Sequence, residues 1–241
     1  MTEKIELHTI NKFNIEENKN FIFQVTNLYI SIFREPPYEE EFTFDEVRQD
    51  FLDYIANGCF LLAIIEKEVV GFMCSSIGLN HVNDSIELKM INEGIDYKKD
   101  IYISELGVSK NHRRKNISKM LIDQFIKLHP HQNMFLRTGV NNNEHVINLY
   151  KKYNFIVTSV KEFVSNKRAN GEEEKDERLY MFRKQNNKND GSEYLYGSRF
   201  CDGSDKNENQ SGYNSGSEYL YGSRFCDGND KNENQSGYNS N

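Results

Sequence analysis

Two consecutive strand-to-helix passages between residues 101 and 155 constrain this chain more than any other feature. The run IYISELGV leads through KNHRRKNIS into a segment whose Ile117, Met120, Leu121, Phe125 and Leu128 form one apolar helical stripe, ended by Pro130. A second run, MFLRTGV, leads through NNNEHVINLYKKYNF, where Val146, Leu149, Tyr150 and Tyr153 share one helical face. Strand, helix, strand, helix in succession belongs to an α/β fold with a mixed sheet.

The flanking segments extend this order. Lys4 to Thr9 alternates as an edge strand, and Asn14 with Glu17 reads as a capping box that opens a helix. That helix carries Phe21, Ile22, Val25, Leu28, Tyr29, Ile32 and Phe33 at helical spacing and stops before Pro36-Pro37. Thr43 and Glu46 cap a second helix with Val47, Phe51 and Tyr54 on one face, and Gly58 stops it. CFLLAIIEKEVVGFMCSSIGL is a β-hairpin turning near Glu66 to Glu68, and residues 80–99 are a loop with room for a short helix. A last hairpin runs from VTSVKEFVS to RLYMFRK across the charged connection NKRANGEEEKDE. The predicted order is strand, two helices, three strands, helix, strand, helix, two strands.

The first passage has the makings of a phosphate site. A pyrophosphate needs several backbone N–H donors converging on one point, and a loop feeding a helix N-terminus supplies them together with the helix dipole. Arg113-Arg114-Lys115-Asn116-Ile117-Ser118 is such a loop, although on its own the hexapeptide also suits a basic solvated turn.

Taken together, the two passages resemble the acyl-CoA site of the GCN5-related N-acetyltransferases (GNAT). In that family the turn reads Gln or Arg, two variable residues, Gly, one variable residue, then Gly or Ala. Here Asn116 and Ser118 stand at the two glycine positions; Asn tolerates left-handed backbone better than other non-glycine residues, and Ser is nearly as small as Ala. The second passage matches by spacing: Asn143, Val146, Leu149-Tyr150 and the closing aromatic Phe155, with Asn154 where the family has glycine. The resemblance covers about residues 3–184.

What the resemblance implies is an N-acetyltransferase that uses acetyl-CoA as co-substrate, on a mixed, mostly antiparallel sheet with flanking helices. Arg113 to Ser118 would hold the pyrophosphate, Asn143 would contact the pantetheine arm, and Tyr150 would protonate the departing thiolate. The backbone amides of Leu106, Gly107 and Val108 would hold the thioester carbonyl. Glu105 stands where many relatives have an acid that takes the amine's proton; an ordinary surface glutamate on a strand is the other reading. Tyr150 alone would equally suit core packing. Between the first two helices the family builds one wall of the substrate cleft, and FREPPYEEEF falls there, so Tyr38 and Glu39 are the expected acceptor contacts, with Glu40 and Glu41 beside them. A run of acids also suits a merely solvated face.

Composition sets the outer limits. Residues 1–184 mix apolar periodic segments with charge as one domain does, residues 185–190 link, and residues 191–241 are rich in Asn, Gly, Ser, Tyr and acids, which predicts a disordered tail. That tail is a repeat: Gly191 to Ser215 recurs at Gly216 to Ser240 with Ser204 replaced by Asn229. Three uses for it are open: a dispensable extension, a docking element that recruits a partner through YLYGSRFCDG, or a self-substrate offering Lys206 and Lys231 at high local concentration. The net charge of -7 leaves no basic footprint for nucleic acid. No apolar run has the length of a signal core or a membrane span, and Cys59, Cys74, Cys201 and Cys226 show neither metal spacing nor a disulfide framework. The expectation is a cytoplasmic protein with no metal and no membrane or nucleic-acid partner. A homodimer is the common case for soluble assemblies. The acceptor is an amine of a small molecule, peptide or protein, and the reading from another class is a catalytically weak relative that binds peptide or protein.

Overall fold

The computed structural model of the chain describes residues 4–35, 39–79, 82–140, 143–168 and 172–185. Tyr38 and the repeats at 191–241, with most of the preceding linker, lie outside the described residues. In chain order the elements are β1 (Glu6–Ile10), α1 (Lys19–Arg34), α2 (Phe44–Asn57), β2 (Gly58–Ile65), β3 (Glu68–Ile77), α3 (Asp84–Asn92), β4 (Ile101–Val108), α4 (Ile117–Leu128), β5 (Met134–Gly139), α5 (Glu144–Lys151), β6 (Ile156–Lys167) and β7 (Glu173–Arg183).

Among the described residues the strands form one sheet in the order β1-β2-β3-β4-β5-β7-β6. Each neighbouring pair is antiparallel except β4 and β5, which run parallel because α4 carries the chain back between them. The predicted mixed α/β architecture is therefore the observed one.

Alternation along the strands sorts the core into two layers. Leu61, Ala63, Val70, Met73, Ile103, Leu136 and Met181 point to the face covered by Leu121, Phe125 and Tyr150 of α4 and α5. Phe60, Leu62, Phe72 and Cys74 point to the other face, under Val25, Tyr29 and Ile32 of α1 and Val47 and Phe51 of α2. Further along that second face, Tyr102, Phe135, Tyr180 and Phe182 pack with Ile86 and Met90 of α3.

Local chemistry explains most element ends. Thr43 accepts from the Glu46 amide at 3.3 Å while the Glu46 carboxylate accepts from the Thr43 amide at 3.1 Å, so α2 opens on the expected capping box. The box expected at Asn14 does not form. The Asn14 side-chain Oδ1 instead accepts from the Asn11 backbone amide at 2.8 Å, and its Nδ2 donates to the Thr9 carbonyl, which closes a turn after β1 and delays α1 to Lys19. The final hairpin is also longer than expected. Asn166 pairs with Glu174 and Lys167 with Glu173, so most of the charged connection belongs to the ladder, with Arg168 bonded to Glu174 at 2.6 Å near its tip.

Candidate active site

The parallel pair separates. β4 and β5 share only three rungs, Ile101 with Met134, Tyr102 with Phe135 and Ile103 with Leu136. Past Ile103, β4 continues to Val108 along β3 alone, while β5 follows β7 to Gly139. Two strands that start side by side and then take different partners enclose a wedge, and Leu106, Gly107 and Val108 lie along one of its edges.

A bulge decides what lines the wedge. On β3, Ser75 faces Ile103 but the next residue, Cys74, faces Glu105, which leaves Ser104 as the extra residue. The alternation therefore breaks at Ser104. Ile103 and Leu106 share the α4–α5 face, and Tyr102 and Glu105 share the other. Glu105 is 2% exposed, so it is an inward acid and not a surface glutamate. Burial pushes the Cys74 thiol opposite it well up, and the Glu105 carboxylate adds to the rise, followed by Cys59 and Asp50. Gly107 faces Phe72 across the strands; a Cβ there would lie 2.5 Å from the Phe72 ring.

The α4 N-terminus has the geometry that anion binding requires. Asn116, its N-cap, sits at φ +62° in the left-handed region, as does Arg114 at φ +64°. The Asn116 side chain does not cap the helix, and the first amides of a helix have no partner inside it. Arg113, Arg114, Lys115 and Asn116 are exposed, Ser118 is partly so, and the Ile117 side chain is buried as an anchor. Gly71 makes room for that anchor, since a Cβ there would meet Ile117 at 2.9 Å. Arg113 also ties the turn to the end of β4, its Nε donating to the Val108 carbonyl at 3.4 Å.

Tyr150 lies on the opposite face of the sheet from Glu105. It is fully buried, stacks edge-on against Phe155 with ring centroids 5.3 Å apart, and belongs to the cluster that contains Ile103, Leu106 and Leu136 at the mouth of the wedge. Asn154 at φ +64° reverses the chain after α5, and the Phe155 amide returns to the Tyr150 carbonyl at 3.2 Å. Asn143 is the buried N-cap of α5 and makes no side-chain cap to its own helix.

Sequence reasoning missed part of the polar wall. Glu39 is exposed, at φ +49°, while its neighbour Glu40 is 1% exposed and bridges to Arg168 of the β6–β7 hairpin end. In this way the α1–α2 connection is joined to the far hairpin across the Glu105 face. Arg137 of β5, 8% exposed, donates to Glu162 of β6, and Tyr180 of β7 donates to the same carboxylate oxygen at 2.7 Å. Burial alone would lower the Arg137 guanidinium, but Tyr180, Tyr102 and Glu162 outweigh it and hold the charged form. The available signal was a single charged residue in the apolar run MFLRTGV. No group of His, Cys, Asp or Glu among the described residues is arranged to hold a metal, and no described helix is long and apolar enough to cross a membrane.

The split parallel pair is thus flanked by the start of α4 and carries a buried acid and a buried phenol on opposite faces of its sheet. The model of the acetyltransferase (GNAT) family matches residues 23–155, more than half of the chain, and the chain belongs to that family. Its co-substrate is accordingly acetyl-CoA, and acetyl transfer is the chemistry of its family.

Solved structures share the fold at low identity. An N-acetyltransferase from Staphylococcus aureus Mu50 is similar at a TM-score of 0.52 and 16% identity, covering 75% of this chain and 98% of that one. A ribosomal-protein-alanine N-acetyltransferase from Brucella melitensis is similar at 0.52 and 13%, covering 74% and 98%. PH1933 from Pyrococcus horikoshii OT3 is similar at 0.51 and 17%, covering 76% and 99%. No curated protein matches the chain in sequence.

Proposed function

We propose that this chain is an N-acetyltransferase that moves the acetyl group of acetyl-CoA onto a primary amine by direct transfer in a ternary complex. The observation that carries the reading is the placement of Glu105 and Tyr150 on opposite faces of one wedge. A thioester lying in that wedge has a base on one side and an acid on the other.

The roles follow from the chemistry. An amine arrives mostly as ammonium, and Glu105 takes its proton so that the nitrogen lone pair can attack the thioester carbonyl. The C–N bond forms while the carbonyl oxygen gathers charge, which backbone amides along Leu106, Gly107 and Val108 stabilise. The C–S bond then breaks, and the Tyr150 phenol gives its proton to the leaving thiolate. As the C–S bond breaks, the attacked nitrogen gives up its second proton, which restores the Tyr150 phenol; the products are an N-acetyl amide and CoA, and the proton taken by Glu105 returns to solvent. The α4 N-terminus, with Asn116 already in left-handed backbone and Ser118 in the first turn, is suited to the pyrophosphate, and Asn143 to the pantetheine amides.

No side chain acts as a nucleophile here. Cys74 is buried and its raised thiol stays protonated, which fits direct transfer better than an acyl-enzyme. The test is titration of the full chain with acetyl-CoA by calorimetry, followed by CoA release on addition of amines. Micromolar binding with amine-dependent release supports the reading; no binding up to millimolar acetyl-CoA overturns it.

A further inference from the structure

One polar cluster on the Glu105 face is not used by the transfer steps above. Tyr102 of β4, Arg137 of β5, Glu162 of β6 and Tyr180 of β7 meet within a layer that is otherwise Phe135, Val160, Phe182, Ile86 and Met90. Four strands thus bring polar atoms to one point of an apolar layer.

Stability is a poor reason for that arrangement. Removing two charges from water costs enough that well-packed apolar residues often serve a core as well as a buried ion pair does. Position suggests another reason. The last rung of the parallel pair joins Ile103 to Leu136, and Arg137 is the next residue on β5. It shares a face with Phe135 two residues before it, and Tyr102, the ladder partner of Phe135, shares that face with Glu105. Arg137 and Glu105 are therefore the charged residues on the two sides of the opening, on the same face, just past the point where the strands part.

We infer that Arg137 is a specificity-determining residue whose guanidinium donates to a carbonyl oxygen on the carbon next to the acceptor amine, so that the acceptors are α-amino carbonyl compounds. The inference rests on the transferase reading above. With its nitrogen at Glu105, an α-amino carbonyl compound holds its oxygen a few ångströms away, toward β5. The guanidinium has five donors in a planar fork, so bonding Glu162 through one nitrogen is compatible with reaching a ligand through another. Because Glu162 already balances the charge of Arg137, a neutral carbonyl suits the site better than a carboxylate. A peptide N-terminus and an amino acid amide both carry this group; a lysine side chain and a polyamine do not.

The experiment measures CoA release by the full chain with three acceptors: alaninamide, a tetrapeptide with a free N-terminal alanine, and isopropylamine, which keeps the amine-bearing carbon and its methyl group but has a second methyl in place of the carboxamide. Wild type is expected to favour the carbonyl-bearing acceptors in kcat/KM, and the better of the two identifies amino acid amide or peptide as the source. Arg137→Met removes the donor but leaves Glu162 buried without it, so the paired variant Arg137→Gln/Glu162→Gln, neutral and similar in shape, is measured alongside. In the paired variant the preference over isopropylamine should fall by about 10- to 100-fold, the value of a hydrogen bond to a charged group. The KM for acetyl-CoA should hold steady.

Equal use of isopropylamine by wild type overturns the inference and leaves acetyl transfer standing. So does a paired variant that folds and keeps the full preference. Absence of CoA release with every amine overturns the transferase reading, and this inference with it.

Discussion

Glu105 and Cys74 face each other across β4 and β3 only because Ser104 bulges out of the ladder. Were Ser104 held in regular register, Glu105 would turn to the α4–α5 side, among Leu121, Phe125 and Tyr150, and the wedge would have its acid and its phenol on one face. The bulge sets Glu105 and Tyr150 on opposite faces of the sheet.

Glu105→Gln tests the consequence. The amide keeps the size of the side chain and much of its hydrogen bonding but cannot take a proton from ammonium. Turnover with a saturating amine should fall by about 10²- to 10⁴-fold, the usual worth of a positioned general base, while acetyl-CoA binding by calorimetry stays as in wild type. Turnover within a few-fold of wild type would remove Glu105 from the mechanism.

Cys74 gives the pH dependence of stability a definite sign. Burial first, then Glu105, keeps the folded thiol protonated well above its ordinary range. Above pH about 8.5 the unfolded chain releases this proton while the folded chain does not. The contribution is therefore intact below that pH and is lost progressively as pH rises. Urea unfolding at pH 7.5 and at pH 10 should show a larger loss of stability for wild type than for Cys74→Ala. Equal losses would mean that the thiol ionises as readily folded as unfolded.

The left-handed turn at Asn116 makes a third expectation. Asn116→Gly removes the backbone strain at φ +62° and should bind acetyl-CoA at least as well as wild type. Asn116→Val places a β-branched residue there, at a cost of roughly 1–3 kcal/mol. That variant should lose thermal stability and coenzyme affinity together. If acetyl-CoA affinity is indifferent to both changes, the α4 N-terminus is not the pyrophosphate site.

The element order could be read from the sequence because hydrophobic period changes from two to 3.6 wherever a strand gives way to a helix, and the α2 cap because Thr43 and Glu46, three residues apart, bond each other. The α1 start could not, because Asn14 had a competing use in closing the turn after β1. The connection of the last hairpin reads as a loop in composition, yet its charges pair across the ladder, Glu177 with Lys161, and Glu174 and Asp176 with Arg168. The start of α4 and its asparagine in left-handed backbone were legible because both are local features. The buried polar groups on the Glu105 face were not. Whether Glu39 or Glu40 turns inward depends on one positive φ, and the partner of Arg137 lies 25 residues further along the chain.

Tyr150→Phe separates the two roles that burial of this residue allows. Phenylalanine keeps the ring, its edge-on contact with Phe155 and its place beside Leu106 and Leu136, so the core loses only one hydroxyl. If Tyr150 were packing alone, the variant would unfold at about the same temperature and turn over at about the same rate. If its phenol protonates the thiolate, folding and acetyl-CoA affinity should persist while turnover falls by about 10²-fold or more. Acetyl donors with better thiol leaving groups need less proton donation as the C–S bond breaks, so the variant's deficit should shrink with them. A uniform deficit across donors would place the loss in packing and remove Tyr150 as the acid.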